Sequence, residues 1–374
     1  MTGKLLAAIL TLLILSQTVI LAQPAAESLT PAQFAQLSRD LSESGGYFDT
    51  DNLISNEASY LHVLGRMREM GVSGGAFIGV GPDQSFSYIA QIRPRIAFMV
   101  DIRRDNLLQH LFYKALFDLS RQRIEFLCLL FGRPLPGNLV EWESRPVTEL
   151  AAYIQKTPGQ NRLFDESRAA IRKRLGEMGM NLSSEDLATI ERIHGEFFTE
   201  GIDLRFTSHN RAPRSYYPTY RDLIVEKDLT GREGSFLARE ESFQVLKSLE
   251  GKNLVVPVVG NLAGEKALKA IGGYLRSRDL VVSALYTSNV EYYLMRGDEF
   301  ERFGWNVSSL PRGAKSVLIR SYFSNSWGRS HPMSVSGYYS TQLLTRLETF
   351  VTEFTAGGFR GYTDVVSKGL LPLR

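Results

Sequence analysis

Gly75-Ala-Phe-Ile-Gly-Val80 is a short apolar run that leads directly into the turn segment Gly81-Pro-Asp-Gln-Ser-Phe86. A helical stretch follows, and a second apolar run, Ile96-Ala-Phe-Met-Val100, ends on Asp101. This order predicts a strand, a glycine turn, a helix and a strand that ends in an acid, which is the first half of a nucleotide-binding βαβ unit. Asp101 lies 22 positions after Gly79, close to the offset of about 20 residues expected for a carboxylate that binds ribose hydroxyls.

Apolar runs and helical patterns alternate again near the C-terminus. The sequence predicts strands at residues 253–260, 279–285 and 314–323 and helices at residues 264–276 and 341–355. Continuous apolar runs, rather than alternating ones, indicate a mostly parallel sheet covered on both faces, and right-handed crossovers make it a doubly wound α/β fold. Residues 131–240 instead show helical patterns and proline-containing loops. We therefore predict one Rossmann-like domain over residues 23–374 with a largely helical insertion at about 131–240.

The first residues predict a targeting segment. Lys4 precedes a nearly continuous apolar run that ends at Ala22, which is typical of a secretory signal peptide over residues 1–22 and of an exported protein, periplasmic or secreted. The run is nearly long enough to span a bilayer, so an uncleaved N-terminal membrane anchor is the alternative.

Composition excludes several classes of function. The net charge of +3 comes from 43 basic and 40 acidic residues, a balance that does not suit nucleic-acid binding. The five histidines are scattered without metal-ligand spacing, so no metal site is predicted. Cys128 is the only cysteine and lies in an apolar stretch, which indicates a buried core residue. A small molecule is the expected partner, and membrane contact is expected only through the N-terminal segment.

Three acidic residues are candidates for chemistry, and each has a structural alternative. Asp83, beside the glycine turn, either faces the ligand, where its charge disfavours a pyrophosphate, or caps the following helix. Asp101 either binds ribose or forms a helix cap or an ion pair with Arg103 or Arg104. Glu291, which follows the fourth strand, either acts as a general base or pairs with Arg296.

These segments together resemble the class I S-adenosylmethionine-dependent methyltransferase fold. Gly79-Val-Gly81 stands where that family has its glycine loop, Asp101 where it has its ribose-binding acid, and Asn261 where a polar residue meets the adenine. Arg278-Asp-Leu-Val-Val-Ser283 is similar to the fourth-strand motif. The resemblance implies an S-adenosylmethionine-binding, methyltransferase-like protein of unknown substrate, with cofactor contacts from Gly79, Gly81, Asp83, Asp101, Asn261 and Ser283.

The sequence also departs from that family. The acid usual at the end of the first strand is absent, and the fourth strand lacks the Asn/Asp-Pro-Pro-Tyr motif of amino-group methylation. Residues 48–57, 235–241 and 288–293 are similar to a bacterial family without an assigned activity. Export would separate the domain from cytoplasmic adenosylmethionine, so the alternative is an exported, non-catalytic ligand-binding or structural module that reuses the fold.

Overall fold

The centre of the fold is one six-stranded sheet. A computed structural model describes residues 28–209, 214–323 and 330–374. The strands are β1 (Ala76–Gly79), β2 (Ile96–Asp101), β3 (Val255–Val259), β4 (Val282–Ser288), β5 (Arg312–Phe323) and β6 (Ser340–Arg346), in the spatial order β3-β2-β1-β4-β5-β6. The first five strands are parallel, and β6 pairs with β5 in the antiparallel direction. The predicted α/β class with a mostly parallel sheet is therefore confirmed.

Helices surround this sheet and make up about half of the described residues. They are α1 (Pro31–Leu41), α2 (Leu64–Glu69), α3 (Gln84–Ile92), α4 (Arg104–Leu119), α5 (Arg123–Phe131), α6 (Leu139–Trp142), α7 (Val147–Lys156), α8 (Asn161–Glu177), α9 (Ser184–Glu200), α10 (Tyr220–Val225), α11 (Glu240–Gly251), α12 (Ala267–Arg276), α13 (Val290–Arg296), α14 (Phe300–Ser308), α15 (Leu347–Thr355) and α16 (Tyr362–Ser367). Short 3₁₀ turns lie at Tyr60–Val63 and Gly201–Asp203. Residues 131–240 contain helices α6 to α10; that they are an insertion within a single domain stays a prediction.

The predicted targeting segment, residues 1–22, lies outside the described residues. Within the described ranges, no helix is both long enough and apolar enough to cross a membrane.

The central strands are buried on both faces. Phe77 and Ile78 of β1 have no exposed surface, and neither do Phe98 and Met99 of β2. Successive side chains of a strand point to opposite faces, so both faces are buried, as expected when helices cover both sides of a parallel sheet. Helices α3 and α4 both pack against α11, whereas α12, on the return from β3 to β4, packs against α1 and α14. The right-handed crossover rule for parallel strands accounts for two such helical layers, one on each face. The order of the strands therefore reverses between β1 and β4, and such a reversal opens a crevice at the carboxyl ends of the strands.

The edge strand β3 shows how local sequence suits its place. Pro257 lies in its middle, where it has no N–H for a further strand, and proline is tolerated at a sheet edge for this reason. The carbonyl of Pro257 accepts a hydrogen bond from Ser38 Oγ of α1 at 2.6 Å. Helix α1 begins with a capping box: Gln33 N donates to Thr30 Oγ1, and Thr30 N donates to Gln33 Oε1. This helix covers the edge and leaves it closed to further pairing.

Two sequence predictions need correction. The predicted helix at 341–355 is wrong over its first half, because Ser340–Arg346 forms β6 and the helix is confined to Leu347–Thr355. Leu343 and Leu344 point to opposite faces of this strand and are both fully buried, which favours pairing with β5 over a one-sided helix. The fourth strand also runs later than predicted, over Val282–Ser288, and this shift changes which residues reach the crevice.

Candidate functional site

A cleft of about 330 Å³ lies at the carboxyl ends of β1 to β4. This volume falls within the range of about 300–1,000 Å³ typical of small-molecule sites. Its walls come from the strand ends, from the loop that precedes the Tyr60–Val63 turn and from helix α13. The lining includes Phe48, Asn52, Glu57, Gly81, Gln84, Asp101, Arg103, Phe206, Asn261, Ser288, Tyr293 and Glu299.

The glycine turn forms the floor of the cleft at β1. Gly81 has φ +78°, and a Cβ atom there would lie 3.2 Å from Gln84 Nε2 and 3.6 Å from Asn52 Nδ2. The carbonyl of Gly81 bonds His110 Nε2 at 2.9 Å. Burial lowers the pKa of His110 to about 4, so the ring is neutral, and Nε2 must carry the proton because a carbonyl only accepts. Both the backbone conformation and the crowding therefore require glycine at position 81.

Gly79 does not line the cleft. A Cβ atom at this last residue of β1 would lie 2.5 Å from the Phe77 ring and 3.0 Å from Ser85 Oγ. The structure thus explains this glycine by close packing of β1 against its neighbours rather than by contact with a ligand.

Asp101 ends β2 and lines the cleft as predicted, but its carboxylate is already partnered. Oδ1 accepts hydrogen bonds from Arg103 N at 2.9 Å and Arg103 Nε at 3.2 Å, and Oδ2 accepts from Arg103 Nη2 at 3.2 Å. The alternative of an ion pair with Arg103 is therefore observed. A carboxylate has about four acceptor positions, so Asp101 Oδ2 retains one for a ligand hydroxyl.

Arg103 joins Asp101 to the loop that forms one wall of the cleft. Its Nη1 donates to the carbonyl of Thr50 at 3.0 Å and to the carbonyl of Asp51 at 2.6 Å. The side chain is only 9 % exposed. The guanidinium fork thus fixes this loop relative to the end of β2.

Asn261 also lines the cleft, on the loop after β3. Its Oδ1 accepts from Ala263 N at 2.9 Å, and its backbone N donates to Glu43 Oε1 at 2.8 Å. Glu43 Oε2 accepts from Lys266 N as well. The carboxylate of Glu43 therefore holds this loop in place, and Asn261 stands at the cleft on a fixed backbone.

Glu57 is the residue that sequence reasoning missed. It lines the cleft, is 1 % exposed, and accepts hydrogen bonds from four neutral side chains. Tyr286 Oη and Gln342 Nε2 donate to its Oε2 at 2.7 Å each, Ser321 Oγ donates to Oε2 at 2.5 Å, and Ser288 Oγ donates to Oε1. These donors come from β4, β5 and β6, so no local sequence signal indicates them. The only hint was the similarity of residues 48–57 and 288–293 to a bacterial family.

Two residues of the cleft have a left-handed backbone although neither is glycine. Asn52 has φ +53° and Ser288 has φ +54°. Asparagine adopts this region fairly readily, whereas serine does so less often. Ser288 ends β4 next to an irregularity in its register with β5 and donates to Glu57. Such strained positions concentrate at functional sites.

Gln84 links the glycine turn to Glu57. Its Nε2 donates to Tyr286 Oη at 3.1 Å, and Tyr286 Oη donates onward to Glu57. Gln84 is 6 % exposed, and its buried Oε1 has no hydrogen-bond partner among the described residues. An orphan acceptor in the wall of a cleft indicates a missing donor, such as a ligand group.

The structure places Asp83 away from the cleft. Asp83 is buried at the residue before α3, yet its side chain makes no capping hydrogen bond, so neither sequence interpretation describes it. Burial raises the pKa of Asp83 to about 7, and the neighbouring Tyr220 hydroxyl only partly opposes this rise. The carboxyl group faces the helical layer rather than a ligand.

Ser283 and Glu291 also lie outside the lining of the cleft. Ser283 is the second residue of β4, at the opposite end of the sheet, and its Oγ donates to the carbonyl of Gly74 at 2.7 Å. Glu291 is buried, accepts from Thr287 Oγ1 at 2.9 Å, and has a pKa raised by burial, against which Arg320 acts. Its predicted partner Arg296 instead donates to Tyr292 Oη. The structure therefore brings together Gly81, Asp101 and Asn261 of the predicted set.

Aromatic rings also line the cleft. Phe48 and Tyr293 meet edge to face with ring centroids 5.0 Å apart, and Phe206 lies in the same lining. Across the described ranges, no group of three or more His, Cys, Asp or Glu side chains is placed to hold a metal ion. The arrangement offers acceptors for hydroxyl groups, flat apolar surface and a buried carboxylate, which suits a small polar ligand with a planar part.

Comparison with known proteins gives a family but no activity. No curated protein is similar enough in sequence to match the chain. The model of a family described as "Domain of unknown function (DUF7790)" matches residues 53–353. The match covers more than half of the chain, includes all six strands, and contains Glu57, Gly81, Asp101 and Asn261. The chain therefore belongs to the DUF7790 family.

Proposed function

We propose that the cleft binds an adenosine-containing small molecule, with S-adenosylmethionine as the first candidate. The observation that carries this proposal is the joint presence of Gly81, Asp101 and Asn261 in one cleft at the strand-order reversal. In open α/β sheets, nucleosides bind at such a point with the acid of the second strand on the ribose.

The strand order supports a methyltransferase-like arrangement. Five parallel strands in the order 3-2-1-4-5, followed by an antiparallel strand beside the fifth, are compatible with the resemblance noted from the sequence. Pro82 and Asp83, which follow Gly81 in the glycine turn, do not line the cleft. The acid expected after the first strand is absent from the sequence, and Glu57 supplies a carboxylate from the preceding loop instead.

Calorimetric titration with S-adenosylmethionine and S-adenosylhomocysteine tests the proposal. Asp101 has one acceptor position left, and a hydrogen bond to a charged group contributes about 1.5–3 kcal/mol. We therefore expect Asp101→Ala to weaken binding roughly tenfold to a hundredfold. Asp105→Ala is the matched control, because Asp105 lies on α4 in an exposed pair with Arg192. Absence of heat with both ligands in the wild-type protein would refute S-adenosylmethionine as the first candidate.

A non-catalytic module is the second candidate function. This candidate is favoured because none of the three carboxylates considered is placed to act as a free general base. Asp101 is paired with Arg103, Glu57 is held by four donors, and Glu291 lies outside the cleft lining. An exported location, as the N-terminal sequence predicts, would also keep the protein from its methyl donor. Binding of an adenosyl ligand without transfer of its methyl group to any offered acceptor would support this candidate over a methyltransferase.

A further inference from the structure

The charges that line the cleft are unevenly balanced. In the described part of the lining, the charged residues are Glu57, Asp101, Arg103 and Glu299. Asp101 is paired with Arg103, and Glu299 is paired with Arg302 at 2.5 Å. Among these carboxylates, Glu57 alone has hydrogen-bond partners that are all neutral. The cleft therefore contains one buried carboxylate whose charge no described side chain balances.

Neutral donors hold the Glu57 carboxylate without cancelling its charge. A buried charge is costly unless it is paired, and hydrogen bonds from hydroxyl and amide groups compensate only part of that cost. Among the described residues, Oε1 of Glu57 accepts only from Ser288, so a cationic group of a ligand could approach this oxygen and supply the missing pairing. Because its donors come from β4, β5 and β6, the carboxylate is fixed in position before a ligand arrives.

The aromatic residues of the cleft point to the same ligand chemistry. Phe48, Phe206 and Tyr293 line the space that Glu57 also lines. Aromatic faces attract ammonium and other onium cations, and the attraction grows when water is excluded. A carboxylate combined with aromatic walls thus favours a cation over a neutral polar group.

A ligand carboxylate has no comparable partner in this lining. Arg103 is the cation of the described lining, and its Nε, Nη1 and Nη2 all donate to Asp101 or to the carbonyls of Thr50 and Asp51. A carboxylate placed near Glu57 would meet a like charge at close range, which is unfavourable. The site therefore distinguishes a simple amine or sulfonium from an amino acid group.

The position of Glu57 relative to Asp101 sets the extent of such a ligand. Asp101 ends β2, and Glu57 is held by Ser288 at the end of β4, with β1 between these strands. Two strand spacings amount to about 10 Å. Resting on the proposed nucleoside site, we infer that the cleft selects an adenosyl compound whose far end carries an ammonium or sulfonium cation and no carboxylate.

Three adenosyl probes separate these features in one calorimetric series. Decarboxylated S-adenosylmethionine carries both cations without a carboxylate, S-adenosylmethionine adds the carboxylate, and 5′-methylthioadenosine is neutral. We expect the decarboxylated compound to bind at least roughly tenfold more tightly than either of the others. We expect salt to change this advantage little, because Glu57 is 1 % exposed and buried charge pairs are screened much less than exposed ones.

Glu57→Gln and Glu301→Gln form the matched pair of variants. Both substitutions remove one negative charge, but Glu301 lies on α14 outside the lining of the cleft. Glu57→Gln should abolish the preference for the decarboxylated compound while leaving binding of 5′-methylthioadenosine in place, and Glu301→Gln should leave the preference unchanged. If Glu57→Gln fails to fold, the ranking of the three probes by the wild-type protein still decides the cation selection.

The outcomes distinguish the two proposals. Binding of 5′-methylthioadenosine that weakens in Asp101→Ala, together with S-adenosylmethionine binding as tightly as its decarboxylated form, would overturn the cation selection and leave the nucleoside site standing. Failure of all three probes to bind would overturn the nucleoside site and the cation selection with it. Tighter binding of the decarboxylated form that disappears in Glu57→Gln would support both.

Discussion

Replacing Gly81 by alanine tests whether the glycine turn shapes the cleft, and Gly231 provides a closely matched control. Gly81 has φ +78° and Gly231 has φ +79°, so alanine is strained equally at both positions. A left-handed backbone costs a residue with a Cβ atom about 1–2 kcal/mol. We expect each variant to lose about this much free energy of unfolding from backbone strain alone.

The surroundings of the two glycines differ. A Cβ atom on Gly81 would lie 3.2 Å from Gln84 Nε2, whereas nothing lies within 4 Å of one on Gly231. Gln84 must therefore shift, and its hydrogen bond to Tyr286 Oη, now 3.1 Å, weakens. Loss of such a bond costs about 0.5–1.5 kcal/mol. The expected total is about 1.5–3.5 kcal/mol for Gly81→Ala, compared with about 1–2 kcal/mol for Gly231→Ala.

Thermal unfolding and ligand titration measure the two effects separately. Gly81→Ala should have the lower midpoint of unfolding, and its affinity for the adenosyl probes should fall by roughly tenfold, because Gln84 and the turn itself line the cleft. Gly231→Ala should bind like the wild type. Equal losses of stability in the two variants, with unchanged affinity in both, would refute the assignment of the turn to the site.

Three further predictions concern residues that the structure places away from the cleft. Burial raises the pKa of Asp83 from 3.8 to about 7. Between these two pH values the folded carboxyl group retains a proton that the unfolded one loses. The free energy of unfolding of the wild type therefore falls by up to about 4 kcal/mol as pH rises from about 4 to about 7. The amide of Asp83→Asn does not titrate, so this variant should become more stable relative to the wild type between pH 5 and pH 8, as measured by urea unfolding. An equal change in the free energy of unfolding of both proteins would contradict this prediction. Ser283→Ala should lose the hydrogen bond to the carbonyl of Gly74 and about 0.5–1.5 kcal/mol of the free energy of unfolding. Its affinity for the adenosyl probes should be unchanged, and a weaker affinity would contradict the position of Ser283 at the far end of β4. Burial raises the pKa of the Cys128 thiol to about 12, so alkylation at pH 8, followed by mass spectrometry, should require denaturant.

The sequence was sufficient to predict the parallel part of the sheet, because its strands are continuous apolar runs. The runs before Gly81 and Asp101 correspond to β1 and β2 within one or two residues. β6 was missed because its identity depends on pairing with β5, a contact between distant residues that a helical spacing of leucines conceals. Burial in tertiary structure outweighed local periodicity there.

The site was predictable where it depends on strand ends and unpredictable where it depends on long-range contacts. Asp101 and Asn261 reach the cleft because each directly follows or ends a parallel strand. Ser283 does not reach the cleft, because β4 begins three residues later than predicted. Ser283 therefore lies at the start of the strand instead of near its end. Glu57 follows no strand, and its importance arises only from side chains that are remote in the sequence.

The hydrogen bonds of Glu57 also bear on the order in which the chain folds. Ser288, Ser321 and Gln342 lie 231, 264 and 285 positions after it. Contacts between such distant residues form late, because a long loop must close before they stabilise anything. During synthesis, a chain that has not yet reached β6 lacks the Gln342 donor, so the carboxylate cannot be buried in its final environment. Maturation of the cleft is therefore coupled to synthesis of β6, and ligand binding would report on newly made protein in which β6 has joined the sheet.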